Sequence, residues 1–178
     1  ALRLDAEYYQ PEYLKTINQV LTFTTKPLGV LASRITQGPN PIFETVGKYC
    51  LNGRNVKNYR VETEDSDYVS DSEFEKFKNF KIKKGDILIT LKGLGSIGKT
   101  GYVFDELDCI FSRDIGLIRV ENEILSKFIY AFLLSKYFEK QIERLVTGGT
   151  GQVTLGTTSL KTLPIPVFQE GDTKMIAV

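Results

Sequence analysis

The stretch from Gly85 to Phe104 constrains this chain most. An apolar run, Ile87-Leu-Ile-Thr-Leu91, leads into Lys92-Gly-Leu-Gly-Ser-Ile-Gly-Lys-Thr100, and Gly101-Tyr-Val-Phe104 follows at once. Gly93 to Thr100 fits the phosphate-loop pattern G-x-x-x-x-G-K-[ST], and Gly93, Gly95 and Gly98 also fit G-x-G-x-x-G. Both patterns need a helix at the end of the loop, because its free N-terminal amides hold the phosphates. A glycine followed by Tyr-Val-Phe is strand composition instead. The stretch therefore predicts two strands joined by a glycine-rich, lysine-bearing loop. Glycine lets backbone amides approach a phosphate closely, Lys92 and Lys99 supply charge, and Ser96 and Thr100 supply hydroxyl donors. A plain hairpin turn that needs glycine for positive φ is the simpler reading. A nucleotide-binding domain built on Gly93–Thr100 is the alternative from another class.

Bulk properties narrow the choice. With 178 residues, 42% of them hydrophobic, the chain has enough apolar surface for one core and one domain. The net charge of +1 means that any nucleic-acid face must come from local clustering. Histidine is absent, which removes Ser/His and Cys/His nucleophile pairs and the commonest zinc ligand. Cys50 and Cys109 lie in separate apolar contexts and read as buried free thiols of a reducing, cytoplasmic compartment. No apolar run approaches the roughly 20 residues that span a bilayer, so no membrane partner is expected. The start, Ala1-Leu-Arg-Leu-Asp5, carries no secretory signal. Without an initiator Met and ending in Met175-Ile-Ala-Val178, the chain reads as a piece of something longer.

Periodicity predicts a mixed α/β fold. Asp5 to Leu21 reads as an N-terminal helix, with Pro11 in a first-turn position and Leu14, Ile17 and Leu21 on one face. Leu28 to Ile35 is ambiguous, and Gln37-Gly-Pro-Asn-Pro41 is a loop. A strand is expected near Val46–Leu51, with Asn52-Gly53 as a hairpin turn. Glu62 to Glu75 carries seven acids and no base, and reads as a solvated loop plus a helix start. From Lys76 to Gly101 the sign reverses, with seven lysines against Asp86. Phe74, Phe77 and Phe80 among the first of them suggest a short helix with an apolar face. Asp86–Leu91, Gly101–Phe104, Cys109–Ser112 and Gly116–Val120 read as strands of a twisted sheet. Ser126 to Leu145 reads as one long helix, striped by Phe128, Ile129, Phe132, Leu133, Ile142 and Leu145, with Ser126 as a cap. Thr147 to Gly156 is a Gly/Thr loop. Leu160–Leu163 is one helical turn before extended chain at Pro164 and Pro166.

The candidate contact residues fall into a few groups. Lys92, Ser96, Lys99 and Thr100 belong to the glycine-rich loop. Arg54, Asn55, Lys57 and Arg60 follow the Asn-Gly turn and have DNA-compatible chemistry, although surface hairpins look the same. Thr147, Thr150 and Gln152 lie in the second polar loop. There Gln152 has the bidentate geometry for adenine, and Gly148 suits a helix C-cap. Arg113 is a further cation, though a local ion pair with Asp114 is the slightly better reading. Catalytic signatures are missing. There is no Pro-Pro dipeptide of the adenine-methyltransferase kind, no S-adenosylmethionine loop and no Glu-x-Lys tripeptide.

Three stretches carry a resemblance. They are Leu4-Asp-Ala-Glu-Tyr-Tyr-Gln-Pro-Glu-Tyr13; then Tyr68-Val-Ser with Phe74, followed by Gly85-Asp86-Ile87-Leu88 leading to Gly98-Lys99-Thr100-Gly101; and Gly149-Thr-Gly-Gln152 with Leu160, Leu163, Pro164 and Pro166. In this order the chain resembles the target recognition domain of type I restriction–modification specificity subunits and related fused enzymes. The resemblance implies a compact α/β globule over residues 1–170 whose loops enter the grooves of double-stranded DNA. It also implies the start of a spacer helix at residues 171–178. Such a domain does no chemistry and needs no cofactor or metal. Its implied partners are methyltransferase (M) subunits that modify adenines, a restriction (R) subunit, or a second recognition domain. The sequence departs from the family pattern at Gln169-Glu170, where the reverse order is usual, and in having a single recognition domain. A module that binds protein rather than DNA is a third reading. It gains if the lysines of Lys76–Gly101 form no shared face with the loop at Gly148–Gln152.

Overall fold

A computed structural model describes residues 6–57, 59–93, 95–146 and 153–167, with side chains from Tyr8 onward. A 3-10 turn, Ala6–Tyr9, precedes helix α1 (Pro11–Leu21), strand β1 (Thr25–Pro27), the single turn α2 (Leu28–Leu31) and strands β2 (Arg34–Gln37) and β3 (Lys48–Leu51). A second 3-10 turn, Gly53–Asn55, leads to β4 (Val56–Lys57), β5 (Tyr59–Val61), β6 (Asp67–Val69), α3 (Asp71–Lys76) and a third such turn, Lys78–Phe80. Then come β7 (Ile87–Thr90), β8 (Thr100–Tyr102), β9 (Cys109–Phe111) and β10 (Ile115–Arg119). Helices α4 (Glu123–Leu133), α5 (Lys136–Leu145) and α6 (Thr157–Lys161) precede β11 (Pro164–Pro166).

The main sheet has the order β2-β10-β7-β8-β5-β4. Its neighbours are antiparallel except β5 beside β8, which run parallel. All four residues of β7 are buried, because the sheet is covered on both faces. Side chains alternate across the pleat. Ile87 and Ile89 join Tyr102, Ile118, Ile129, Leu133, Phe138 and Ile142 under the helices. Leu88 joins Val56, Val103, Leu117, Leu51 and Phe111 on the other side. That second face is closed by a three-stranded sheet, β6-β3-β9, in which β3 and β9 are parallel. Three layers result: helices, main sheet, small sheet. The mixed α/β class is the one expected, and among the described residues no helix is long and apolar enough to cross a membrane.

Several local expectations need correction. The N-terminal helix begins at Pro11, not Asp5, after the 3-10 turn. The long helix expected from Ser126 to Leu145 is two helices. Ser135 breaks it, its hydroxyl accepting the Phe138 amide at 3.4 Å to cap α5. Asn122, not Ser126, caps α4; Ser126 lies inside the helix and donates to the Gly85 carbonyl at 2.8 Å. Asn52-Gly53 makes no hairpin, since β3 and β4 belong to different sheets. Its side chain instead caps the turn Gly53–Asn55, accepting the Arg54 amide at 2.9 Å. The acidic run contains a strand, β6, beside β3, as well as the expected helix start. The Pro-x-Pro segment is extended as expected, and pairs with β1 as β11. The expected spacer helix, residues 171–178, lies outside the described residues.

Candidate nucleic-acid interface

Two chain segments far apart in sequence meet on one side of the main sheet. The first is the turn after β3. Asn52 donates from its side chain to Asp67 Oδ2 at 2.8 Å, and its backbone amide donates to Asn55 Oδ1 at 2.8 Å. The Asn55 amide group donates in turn to the Glu64 carbonyl at 2.7 Å and to Ser66 Oγ at 3.1 Å. Asn55 is fully buried by these bonds. They hold Gly53 and Arg54 as a fixed tip, with Arg54 bonded to Asp67 Oδ1 at 3.0 Å and Lys57 exposed beyond it.

The second segment is the loop from β7 to β8. Thr100 opens a strand in register with Ile89, so no helix follows the loop and neither nucleotide pattern holds. Gly93, Gly95 and Gly98 adopt φ of +105°, +77° and +83°, which favours glycine. Four of the loop's amides, those of Ser96 to Lys99, are spent on nearby carbonyls. Ser96 and Ile97 donate to the Gly93 carbonyl, Gly98 to Thr90 and Lys99 to Ser96, at 2.9–3.1 Å. Thr90 Oγ1 also donates to the Ser96 carbonyl. Thr100 is buried, its hydroxyl on the Gly98 carbonyl at 3.0 Å. The expected cradle of backbone amides is therefore absent at these positions. At these positions side chains supply the binding groups, and Asn55 and Thr100 are buried and hold the two segments in place.

Between the segments lies a cleft of about 870 Å³, lined by Arg54, Lys57, Lys92, Ser96 and Lys99, with Asp65, Asp67 and Asp114 among them. Five of the residues expected from sequence thus converge. Arg60 is exposed and paired with Glu62. Arg113 is exposed, and its carbonyl accepts Gln37 Nε2 at 2.6 Å. The expected Arg113–Asp114 pair is not formed; Asp114 reaches Lys92 at 3.6 Å instead, because its turn packs under that loop. The lysine cluster disperses. Lys76, Lys78 and Lys81 pair with Glu73, Glu75 and Asp108, and only Lys92 and Lys99 line the cleft. Sequence reasoning does not place Asp67 or Asp114 at the cleft: Asp67 belongs to the acidic run expected to be solvated and instead opens β6, and Asp114, expected on Arg113, lies just before β10.

Thr147, Thr150 and Gln152 lie outside the described residues. The chain flanking them does not. Thr154 bridges to Lys92, and the Leu155 amide donates to the Leu91 carbonyl at 2.9 Å. Val146 and Val153 line a second cavity of about 690 Å³, shared with Tyr59, Gly95, Gly98 and Lys99. Lys99 stands between the two openings. The Asp86 of the Gly-Asp-Ile-Leu stretch is no contact residue. It is buried, with Arg119 Nε and Nη2 on its two oxygens at 2.7 Å and the Lys83 amide at 2.7 Å.

Comparison with known proteins adds to this geometry. The family model described as "Type I restriction modification DNA specificity domain" matches residues 35–175. The chain is 27% identical over 135 residues to the type I restriction enzyme MjaVIII specificity subunit of Methanocaldococcus jannaschii, covering 74% of this chain and 32% of that protein. The type I restriction–modification S subunit from M. genitalium is similar in structure, with a TM-score of 0.56 and 19% identity over 87% of this chain and 36% of its own. The type IIG restriction endonuclease BpuSI shares the fold, with a TM-score of 0.65 and 10% identity over 93% of this chain and 27% of its own. The chain spans about a third of the length of the curated relative it matches.

Proposed function

Because the chain belongs to the family of type I restriction-modification DNA specificity domains, we propose that its charged cleft reads a short sequence in double-stranded DNA. The domain is the recognition component and not the catalytic one. The observation that carries the reading is the convergence of Arg54 and Lys57 with Lys92, Ser96 and Lys99 on one cleft in a chain of this family. Lys57, Lys92 and Lys99 serve the phosphates, since an ammonium is a point charge without base discrimination. Arg54 and Ser96 have donors that suit a base edge as well as a phosphate. Arg113, exposed beside Asp114, supplies a further phosphate contact. Thr147, Thr150 and Gln152, the last of them two residues before Thr154, which bridges to Lys92, add the second reading loop. Residues 1–170 form the recognition domain, and residues 171–178 begin a spacer helix. Methyltransferase subunits, with a restriction subunit or a second recognition domain, act at the site it selects, inside the cytoplasm.

The test is a titration of the full-length protein with duplex DNA across a salt series. Binding should strengthen steeply as salt falls, through counterion release. A protein that prefers duplex DNA no more than it prefers heparin at low salt has no such function. The module that binds only protein would then be the better reading.

A further inference from the structure

Tyr59 is the bulkiest residue of the described chain in a left-handed backbone conformation, with φ +83°, and it is 67% exposed. An aromatic residue at that φ is a true outlier, tolerated where the surroundings over-determine it, and such outliers gather at binding sites. The surroundings here are a two-residue hairpin connection, where positive φ is usual, and a neighbouring strand. Arg60 lies opposite Lys57 of β4, which leaves Tyr59 in the turn, and Tyr59 itself lies opposite Gly101 of β8. Gly101 permits the approach, since a Cβ there would meet the Arg60 carbonyl oxygen at 2.6 Å. The strand thus holds Tyr59 firmly while leaving its ring in solvent. Glycine would fit the same φ without strain, so the backbone alone gives no reason for tyrosine. Its position supplies one. Tyr59 lines the cavity that Lys99 shares with the charged cleft, two residues beyond Lys57.

We propose that Tyr59 is a further DNA-contact residue, its ring packing against the sugar and base edges between the phosphates held by Lys57 and Lys99. The inference rests on the cleft being the DNA face. A ring with an apolar face and only two side-chain torsions gives contact area at low entropic cost.

Three full-length proteins separate the outcomes: wild type, Tyr59→Gly and Tyr59→Phe. Each is bound to a duplex selected from a random pool by the wild type, and each is melted without DNA. Tyr59→Gly should melt no lower than wild type, since the strain is relieved. Its affinity should fall about tenfold, in the range of a lost stacking or groove contact. Tyr59→Phe should bind within about twofold of wild type, since the ring is kept. Full binding by Tyr59→Gly, a loss in Tyr59→Phe equal to that in Tyr59→Gly, or a lower melting point for Tyr59→Gly overturns the proposal. Failure of the wild type to bind any duplex would sink the DNA reading itself, and this inference with it.

Discussion

Lys92 Nζ lies 3.6 Å from Asp114 Oδ1, on the wall of the cleft. The two come from different turns, Lys92 from the β7–β8 loop and Asp114 from the β9–β10 connection. The Leu91 amide ties those turns together by donating to the Asp114 carbonyl at 2.8 Å. Both side chains are partly exposed, at 33% and 46%, so the pair adds little to stability. Its effect is electrostatic. An incoming phosphate has to compete with a carboxylate already facing the lysine.

Replacing Asp114 by Asn should therefore raise affinity for any duplex, cognate or scrambled, by a few-fold at low salt. It should leave the unfolding midpoint within about 0.5 kcal/mol of wild type. Fluorescence anisotropy at two salt concentrations reads the first and denaturant titration the second. An unchanged or weakened affinity would mean that Lys92 does not meet DNA.

Lys99 and Gln152 are proposed to act differently on the same groove. Lys99→Ala should weaken binding to all sequences and reduce the salt slope by about one unit. Gln152→Ala should cost roughly 1–3 kcal/mol on the cognate site and little on a scrambled one. Paired salt-series curves on both duplexes separate them. Equal losses on both duplexes would remove Gln152 as a base reader, and no loss in either variant would remove both loops from DNA.

How much of this was legible in the sequence depended on how local the cause was. The apolar runs of β7 and β10 and the Pro-x-Pro strand were visible, because burial and proline geometry act within a few residues. The break at Ser135 was hidden, since the apolar stripe runs on from α4 to Ile142 as if one helix continued. Arg54, Lys57, Lys92 and Lys99 were each picked out by residue type, but their meeting was not. It depends on strand order, which no local pattern encodes. Asn55 and Thr100 looked like surface polar residues, and only their partners across the turn and the loop put them inside. The seven-lysine run looked like one face and is several, because strands and turns point successive lysines in different directions.

The Asp86–Arg119 pair should matter to stability and not to DNA. Asp86 is 1% exposed and accepts both guanidinium donors and an amide. Asp86→Ala leaves Arg119 uncompensated at 16% exposure, and should cost about 3–5 kcal/mol in denaturant unfolding. Protein that remains folded should bind duplex like wild type. A loss below about 1 kcal/mol would mean that water reaches Arg119 freely.

The two thiols predict a stability that fades at high pH. Cys50 and Cys109 are fully buried and free, on the adjacent strands β3 and β9. Burial pushes each from an ordinary value of 9.0 up to about 12, helped at Cys50 by the charge of Asp67 and at Cys109 by Cys50 and Asp108. In the unfolded chain both thiols ionise near 9.0, while in the fold they stay protonated. The unfolded state therefore gives up protons first. The full contribution is present below pH 9.0 and is lost as pH rises toward about 12. The denaturation midpoint should drop between pH 8 and pH 10.5, on the order of a tenfold loss in equilibrium constant per pH unit for each thiol ionised. It should drop less in the Cys50→Ala/Cys109→Ala variant, which keeps the other titrating groups and removes these two. At pH 8 the folded protein should not react with a thiol reagent until denaturant is added, since the reactive form is the thiolate. Equal pH dependence in the two proteins, or rapid labelling of the folded wild type at pH 8, would show that the thiols are not shielded by β3 and β9.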